Sequence, residues 1–121
     1  MKSWLLMSLC IVATATPAQE RLPSTSDKLL AECLEAVKVG QSDRSANGLE
    51  ARSCVAYVIG YADGVNTART IGKAICVPST ATAEQMARVV VKHLQEHREI
   101  LGLPREAGIQ AAFAGAYPCP K

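Results

Sequence analysis

The chain has 121 residues, 13 of them Lys or Arg and 11 Asp or Glu, and 49% of its side chains are hydrophobic. That length accommodates one domain around a single core. A net charge of +2, with no run of basic residues, excludes the electrostatic footprint of a nucleic-acid or anionic-membrane binder.

Lys2 precedes an apolar run from Trp4 to Val12, and small residues follow at Ala13, Ala15 and Ala18. This is the order of a secretory signal peptide. The run falls short of the roughly 20 apolar residues that a spanning helix needs. We expect residues 1–18 to be removed, with cleavage after Ala18 favoured over Ala15. Cys10 is a poor lipidation site because bulky Leu9 precedes it. Residues 19–121 then read as one exported, near-neutral domain without a stable membrane anchor. They contain one Phe, three Tyr and no Trp, so the core must be aliphatic and rich in alanine.

Four cysteines remain beyond the leader: Cys33, Cys54, Cys76 and Cys119. An even count behind an export signal reads as two disulfides. No two are spaced C-x-x-C, so neither a zinc knuckle nor a thioredoxin-type redox motif is indicated.

Residues 19–25 read as a loose lead-in. Leu29, Leu30, Cys33, Leu34 and Val37 form one stripe of a first helix, capped by Ser26 and stopped at Gly40. Residues 41–48 are a polar turn. A second helix is expected from Leu49 to Ile71, with small residues at every fourth position: Ala56, Gly60, Gly64 and Ala68. Glycine costs about 1 kcal/mol relative to alanine inside a helix. The stripe therefore predicts a close helix approach, within the domain or across a homodimer seam. Asp63, between the two glycines, reads as a cap or as the partner of a basic side chain.

Pro78 ends a connector, and Thr82 with Gln85 forms a capping box for a third helix reaching about His97. Met86, Val89, Val90, His93, Leu94 and His97 share a face of that helix. Pro104 suits the first turn of a fourth helix, whose apolar side is Ile109, Ala112, Phe113 and Ala116.

Four helices joined by short connectors predict a small all-α up-down bundle. Cys33 and Cys54 then stand about 10 Å along their helices from the same turn, at 1.5 Å per residue, and face each other. Cys76 follows the second helix at the end to which the fourth helix returns with Cys119. A disulfide bridges at most about 7 Å between Cα atoms. The expected pairs are therefore Cys33–Cys54 and Cys76–Cys119.

His93 and His97, with Glu96 between them, match the H-x-x-E-H pattern of some zinc proteases. A catalytic zinc needs a third protein ligand, and only Glu99 and Glu106 lie close downstream, without a second motif to hold them. We read the pair as half-buried histidines on a helix flank and expect neither a metal nor a catalytic residue. No cofactor is expected.

The motif Cys54-x-x-Tyr57-x-x-Gly60-Tyr61-x-x-Gly64 is followed by Cys76-x-Pro78 and then by Thr82-x-x-Gln85 with Val89-Val90. Leu94-x-x-His97 and a terminal Tyr117-Pro118-Cys119 complete the series. Together these resemble the Rap/Tai-type immunity proteins against peptidoglycan amidase effectors of type VI secretion, over about residues 27–120. The resemblance implies a periplasmic, all-helical, disulfide-bonded protein, often a homodimer, that covers the catalytic cleft of an incoming toxin. It makes Gly60, Tyr61, Gly64 and Pro78 scaffold residues and leaves the contact residues open, with connectors 41–48 and 98–104 as candidates. The chain departs from the family pattern at Arg98, where proline is common, and at His93, where an aromatic residue is expected. A periplasmic chaperone or envelope-stress binder, and more remotely a zinc hydrolase using His93 and His97, are the alternative functions.

Overall fold

The computed structural model describes residues 24–68 and 74–121. The expected signal peptide (residues 1–18), Cys10, and residues 69–71 of the expected second helix lie outside the described residues. Four helices follow in order: α1 (Ser26–Gly40), α2 (Gly48–Thr67), α3 (Ala83–Glu96) and α4 (Arg105–Ala116), with one 3-10 turn at Arg98–Ile100. Among the described residues there is no strand, only single antiparallel bridges joining Thr25 to Pro104 and Ile75 to Pro118. The protein is an all-α bundle in which α1 packs against the other three helices.

The stripe predicted for α1 is the one it buries, with Leu29, Leu30, Cys33 and Ala36 in the core and Leu34 and Val37 packed at its edge. The helix starts one residue earlier than a Ser26 cap would allow. Thr25 is the cap residue and makes no side-chain cap bond. Ser26 is itself helical and fully buried, and its hydroxyl donates to the Pro104 carbonyl. The first amides of α1 are satisfied from elsewhere in the fold: Ser26 N donates to Leu103 O at 2.8 Å and Asp27 N to Leu101 O at 2.9 Å. A tertiary contact thus does the work of a local cap.

α2 begins on Asn47, whose side chain accepts from Leu49 N and Glu50 N. At Ala68 ψ has swung to 65°, so the helix ends at Thr67. The capping box of α3 is present in both directions, Gln85 N to Thr82 Oγ1 at 3.1 Å and Thr82 N to Gln85 Oε1 at 2.9 Å. The core closes on Phe113 of α4, which is fully buried with Tyr61 edge-on at 5.6 Å and Tyr117 edge-on at 5.3 Å.

Both expected disulfides are formed, Cys33–Cys54 with Cα atoms 5.0 Å apart and Cys76–Cys119 with Cα atoms 4.8 Å apart. The segment carrying Cys76 is also held by Asn66 near the end of α2, whose side-chain amide donates to Val77 O and accepts from Val77 N. Beside the first disulfide, Lys28 reaches Glu50 at 2.7 Å, joining the first turns of α1 and α2.

A polar cluster lies between α1, α2 and α4. Glu32 is buried and takes its counter-charge from Arg105, 3.4 Å away. Arg105 also donates to the Ser24 hydroxyl and lies over the Tyr57 ring, 4.8 Å from its centre. Burial and the Glu106 carboxylate push the Tyr57 phenol up to about 12. The Tyr57 hydroxyl and Arg105 Nε are buried without a hydrogen-bond partner among the described residues.

The glycines of α2 are not where helices meet. Its buried face carries Ala51, Cys54, Val58 and Ala62, while Ala56, Gly60, Gly64 and Ala68 are exposed. A Cβ built on Gly60 or Gly64 has nothing within 4 Å. The close approach expected there occurs at Gly108 of α4, where a Cβ would collide with the buried Ser26 side chain and sit 3.3 Å from Leu94 Cδ2. Opposite effects of alanine follow. Gly60→Ala and Gly64→Ala are each expected to stabilise the protein by up to about 1 kcal/mol, and Gly108→Ala to destabilise it by about 1–3 kcal/mol through overpacking. Urea unfolding of the three variants as monomers, at low protein concentration, checks the signs, and destabilisation by Gly60→Ala there would show that another part of the same chain packs on that face.

Candidate functional site

The two candidate connectors leave opposite ends of α1. Residues 98–104 pack on its N-terminus through the Leu101 and Leu103 carbonyls, whereas residues 41–48 follow its C-terminus. Fifteen helical residues place these ends about 22 Å apart at 1.5 Å per residue. They do not form one cleft.

Their chemistry differs as well. Connector 98–104 turns inward. Ile100 and Leu101 pack against the core, its carbonyls cap α1, and Arg105 N donates to Ser24 O at 3.0 Å. Only Leu103 among its large apolar side chains stands out, at 46% exposure. Its backbone is committed to holding the start of α1.

Connector 41–48 is exposed along almost its whole length and yet fixed from within. Asp43 accepts from the Ser45 amide at 2.9 Å and the Ser45 hydroxyl at 2.7 Å. Asp43 N donates to Lys38 O, and Ala46 N to Asp43 O. Glu35 of α1 accepts from Asn47 N at 2.7 Å and pairs with Lys38 at 2.6 Å. Ser42 takes a left-handed backbone conformation, φ 59°, at the apex, a conformation uncommon outside glycine and asparagine. Two large apolar side chains flank this frame in solvent, Val39 at 52% and Leu49 at 78% exposure.

The bonds from Lys38 and the Asn47 amide hold Glu35 below the usual carboxylate range, and those from Ser45 do the same for Asp43. Carboxyls depressed in the folded state stabilise it above their unfolded values and lose that effect as pH falls through the folded ones. The frame is therefore intact across the neutral range and loosens only in acid. A rigid loop that presents apolar side chains to solvent is suited to docking a protein surface at little ordering cost.

The remaining singled-out residues fall elsewhere. His93 and His97 stack with ring centres 4.3 Å apart on the flank of α3, and His97 Nδ1 lies 3.2 Å from Glu99. Burial, then the His97 charge, lower the His93 pKa. His93 borders a cleft of about 330 Å³ between α3 and α4, with Lys92, Glu96, Ala112 and Gly115. Among the described residues no group of three or more His, Cys, Asp or Glu side chains is placed to hold a metal ion. Tyr61 packs on Phe113. Asp63 and Pro78 line a second groove, of about 200 Å³, with Ile59 and Asn66. None of these is joined to connector 41–48. The sequence reading missed Asn47, Asn66 and Glu35 as residues that shape the loops. The Asn47-Gly48 step ahead of a helical pattern was the signal available for the first of them.

A model of the Rap1a immunity proteins matches residues 25–119. The chain belongs to that family. The match begins at Thr25, the cap of α1, and ends on Cys119, so it takes in all four helices and both disulfides. Membership makes this an immunity protein, whose partner is a protein toxin and whose role is to inhibit it. No curated protein and no solved structure matches the chain significantly.

Proposed function

We propose that this member of the Rap1a immunity family acts in the periplasm, where it neutralises a peptidoglycan amidase delivered by type VI secretion. The mechanism is steric. The fixed connector 41–48, with Val39 and Leu49 on its flanks, docks on the toxin and closes its catalytic cleft. The observation that carries this reading is a solvent-facing loop hydrogen-bonded through Asp43 and through Glu35 of α1, with two exposed apolar groups at its edges. The leader expected at residues 1–18 and the two disulfides support the compartment, since such bonds persist in oxidising surroundings.

A few residues carry most of the energy of such interfaces, and Leu49 and Val39 are the large apolar side chains exposed beside connector 41–48. Leu49→Asp and Val39→Asp are expected to weaken binding to the cognate amidase at least about tenfold each, or 1.4 kcal/mol, without lowering the melting temperature. Calorimetric titration and peptidoglycan hydrolysis assays measure this. Unchanged affinity in both variants would remove the connector from the interface. Absence of inhibition by the native protein would overturn the amidase reading itself.

A second copy is the occupant we assign to the open face of α2. An antiparallel pairing of two α2 helices through this face sets Ala56 of each copy against Gly60 of the other and brings Arg52 near Asp63, an isologous arrangement. Its support is the exposure of Ala56, Ile59, Gly60 and Gly64 on one face of the helix.

A further inference from the structure

The two disulfides differ sharply in their surroundings. Cys33 and Cys54 are both 0% exposed, sealed between α1 and α2. Cys76 is exposed and Cys119 half-buried, in a segment outside the helices that is bonded to the end of the chain. Thiol–disulfide exchange needs a thiolate to reach a sulfur. The inner bond admits one only after α1 and α2 separate, whereas Cys76 of the outer bond is an exposed residue in the folded state.

The segment around Cys76 also has attachments other than its disulfide. Cys76 N donates to Tyr117 O at 2.8 Å, and Ile75 bridges Pro118. Asn66 brackets Val77 from both sides of its peptide group. Ile75 and Val77 are buried at 6% and 7% exposure. Tyr117 packs edge-on against Phe113, which lies in the core. None of these contacts runs through the sulfur–sulfur bond itself.

We propose that Cys76–Cys119 is a reversible thiol-exchange site, open to small thiols and to thioredoxin-type dithiols, while Cys33–Cys54 is a permanent structural bond. The attacking thiolate forms a bond to Cys76 Sγ, and Cys119 leaves as a thiolate that takes a proton from water. The reductant's second thiol then attacks the mixed disulfide, releasing Cys76 as a thiol. Two electrons pass from the dithiol to the protein, the dithiol ends as a disulfide, and the step reverses with a disulfide oxidant. The inference does not depend on which toxin the protein meets.

The test uses the folded, fully oxidised protein under graded dithiothreitol without denaturant, with alkylation of freed thiols and peptide mass mapping. Cys76 and Cys119 are expected to be labelled on the order of 100-fold faster than Cys33 and Cys54, because local opening precedes global opening. Far-UV circular dichroism is expected to stay at the native value at that stage. Glutathione followed by acid quench is expected to leave its adduct on Cys76. The double variant Cys76→Ala/Cys119→Ala is expected to keep the Cys33–Cys54 bond and a cooperative melt. Simultaneous labelling of all four cysteines, loss of helix as the first bond opens, or an adduct chiefly on Cys119 would each overturn the proposal.

Discussion

Replacing Cys33 and Cys54 together by alanine is expected to lower the unfolding free energy by about 3–5 kcal/mol. The chain-entropy model assigns roughly 3.4 kcal/mol to a loop of this length, the cysteines being 21 residues apart. Both side chains are also fully buried, so the paired sulfurs are lost from the contact between α1 and α2. For a domain near 100 residues such a loss corresponds to a fall in melting temperature of roughly 12 °C or more. Urea unfolding of the double variant measures it, and a loss below about 1 kcal/mol would show that the bond is not what holds α1 to α2. Loop length alone ranks the bonds the other way, giving about 4 kcal/mol to the outer one, whose cysteines are 43 residues apart. We expect less from it in practice. Once opened, its exposed ends loosen in the native state and recover part of the entropy that the bond had removed.

Phe113→Ala is expected to cost about 3–5 kcal/mol, the range for truncating a buried phenylalanine. Phe113 is the single phenylalanine of the chain, is fully buried, and holds two tyrosine rings edge-on. Such aromatic pairs add about 0.5–1.5 kcal/mol each beyond area burial. The surroundings are poorly able to collapse into the gap, since Ala112 and Gly108 lie on the same helix and add little volume. Phe113→Leu, which preserves most of the volume, is expected to cost under about 1.5 kcal/mol. Equilibrium unfolding of both variants separates cavity formation from a general sensitivity of α4, and equal losses would refute the cavity account. A loss under about 2 kcal/mol for the alanine variant would mean that the core is not organised around this ring. Net stabilities of domains lie near 5–15 kcal/mol, so either of the two large losses removes much of the margin.

Which parts of the molecule were legible before any coordinates follows from the range of the forces that set them. The Thr82–Gln85 capping box was legible because its donors and acceptors lie within one helical turn. The Leu29, Leu30 and Cys33 stripe was legible because helical periodicity places these residues on one face whatever lies opposite. The disulfide pairing was legible because the helix rise and the short connectors leave the cysteines few partners within reach.

Contacts made across the fold were not. Ser26 looked like a cap, yet its hydroxyl bonds Pro104, 78 positions away, and the start of α1 is satisfied by the carbonyls of Leu101 and Leu103. Gly60 and Gly64 looked like a packing seam and Gly108 did not, although the close approach is at Gly108. A helical glycine carries no mark of whether its bare side meets solvent or a neighbour. The buried Glu32–Arg105 pair joins residues 73 positions apart that no local pattern connects.

The same division applies to the binding surface. Connectors 41–48 and 98–104 were both candidates as sequence because both lie between helices, the first polar and the second carrying Ile100, Leu101 and Leu103. Only the packing of α1 shows that one is used up in holding the first turn of that helix, while the other stands rigid and free with Val39 and Leu49 at its sides. By itself the sequence determined the helices, the Thr82 cap, the end of the first helix near Gly40 and the cysteine partners, because these depend on neighbours in the chain and on fixed helix geometry. The tertiary structure alone decided which glycine is crowded, which charge is buried and which loop is available, because each depends on the faces that distant helices turn toward one another.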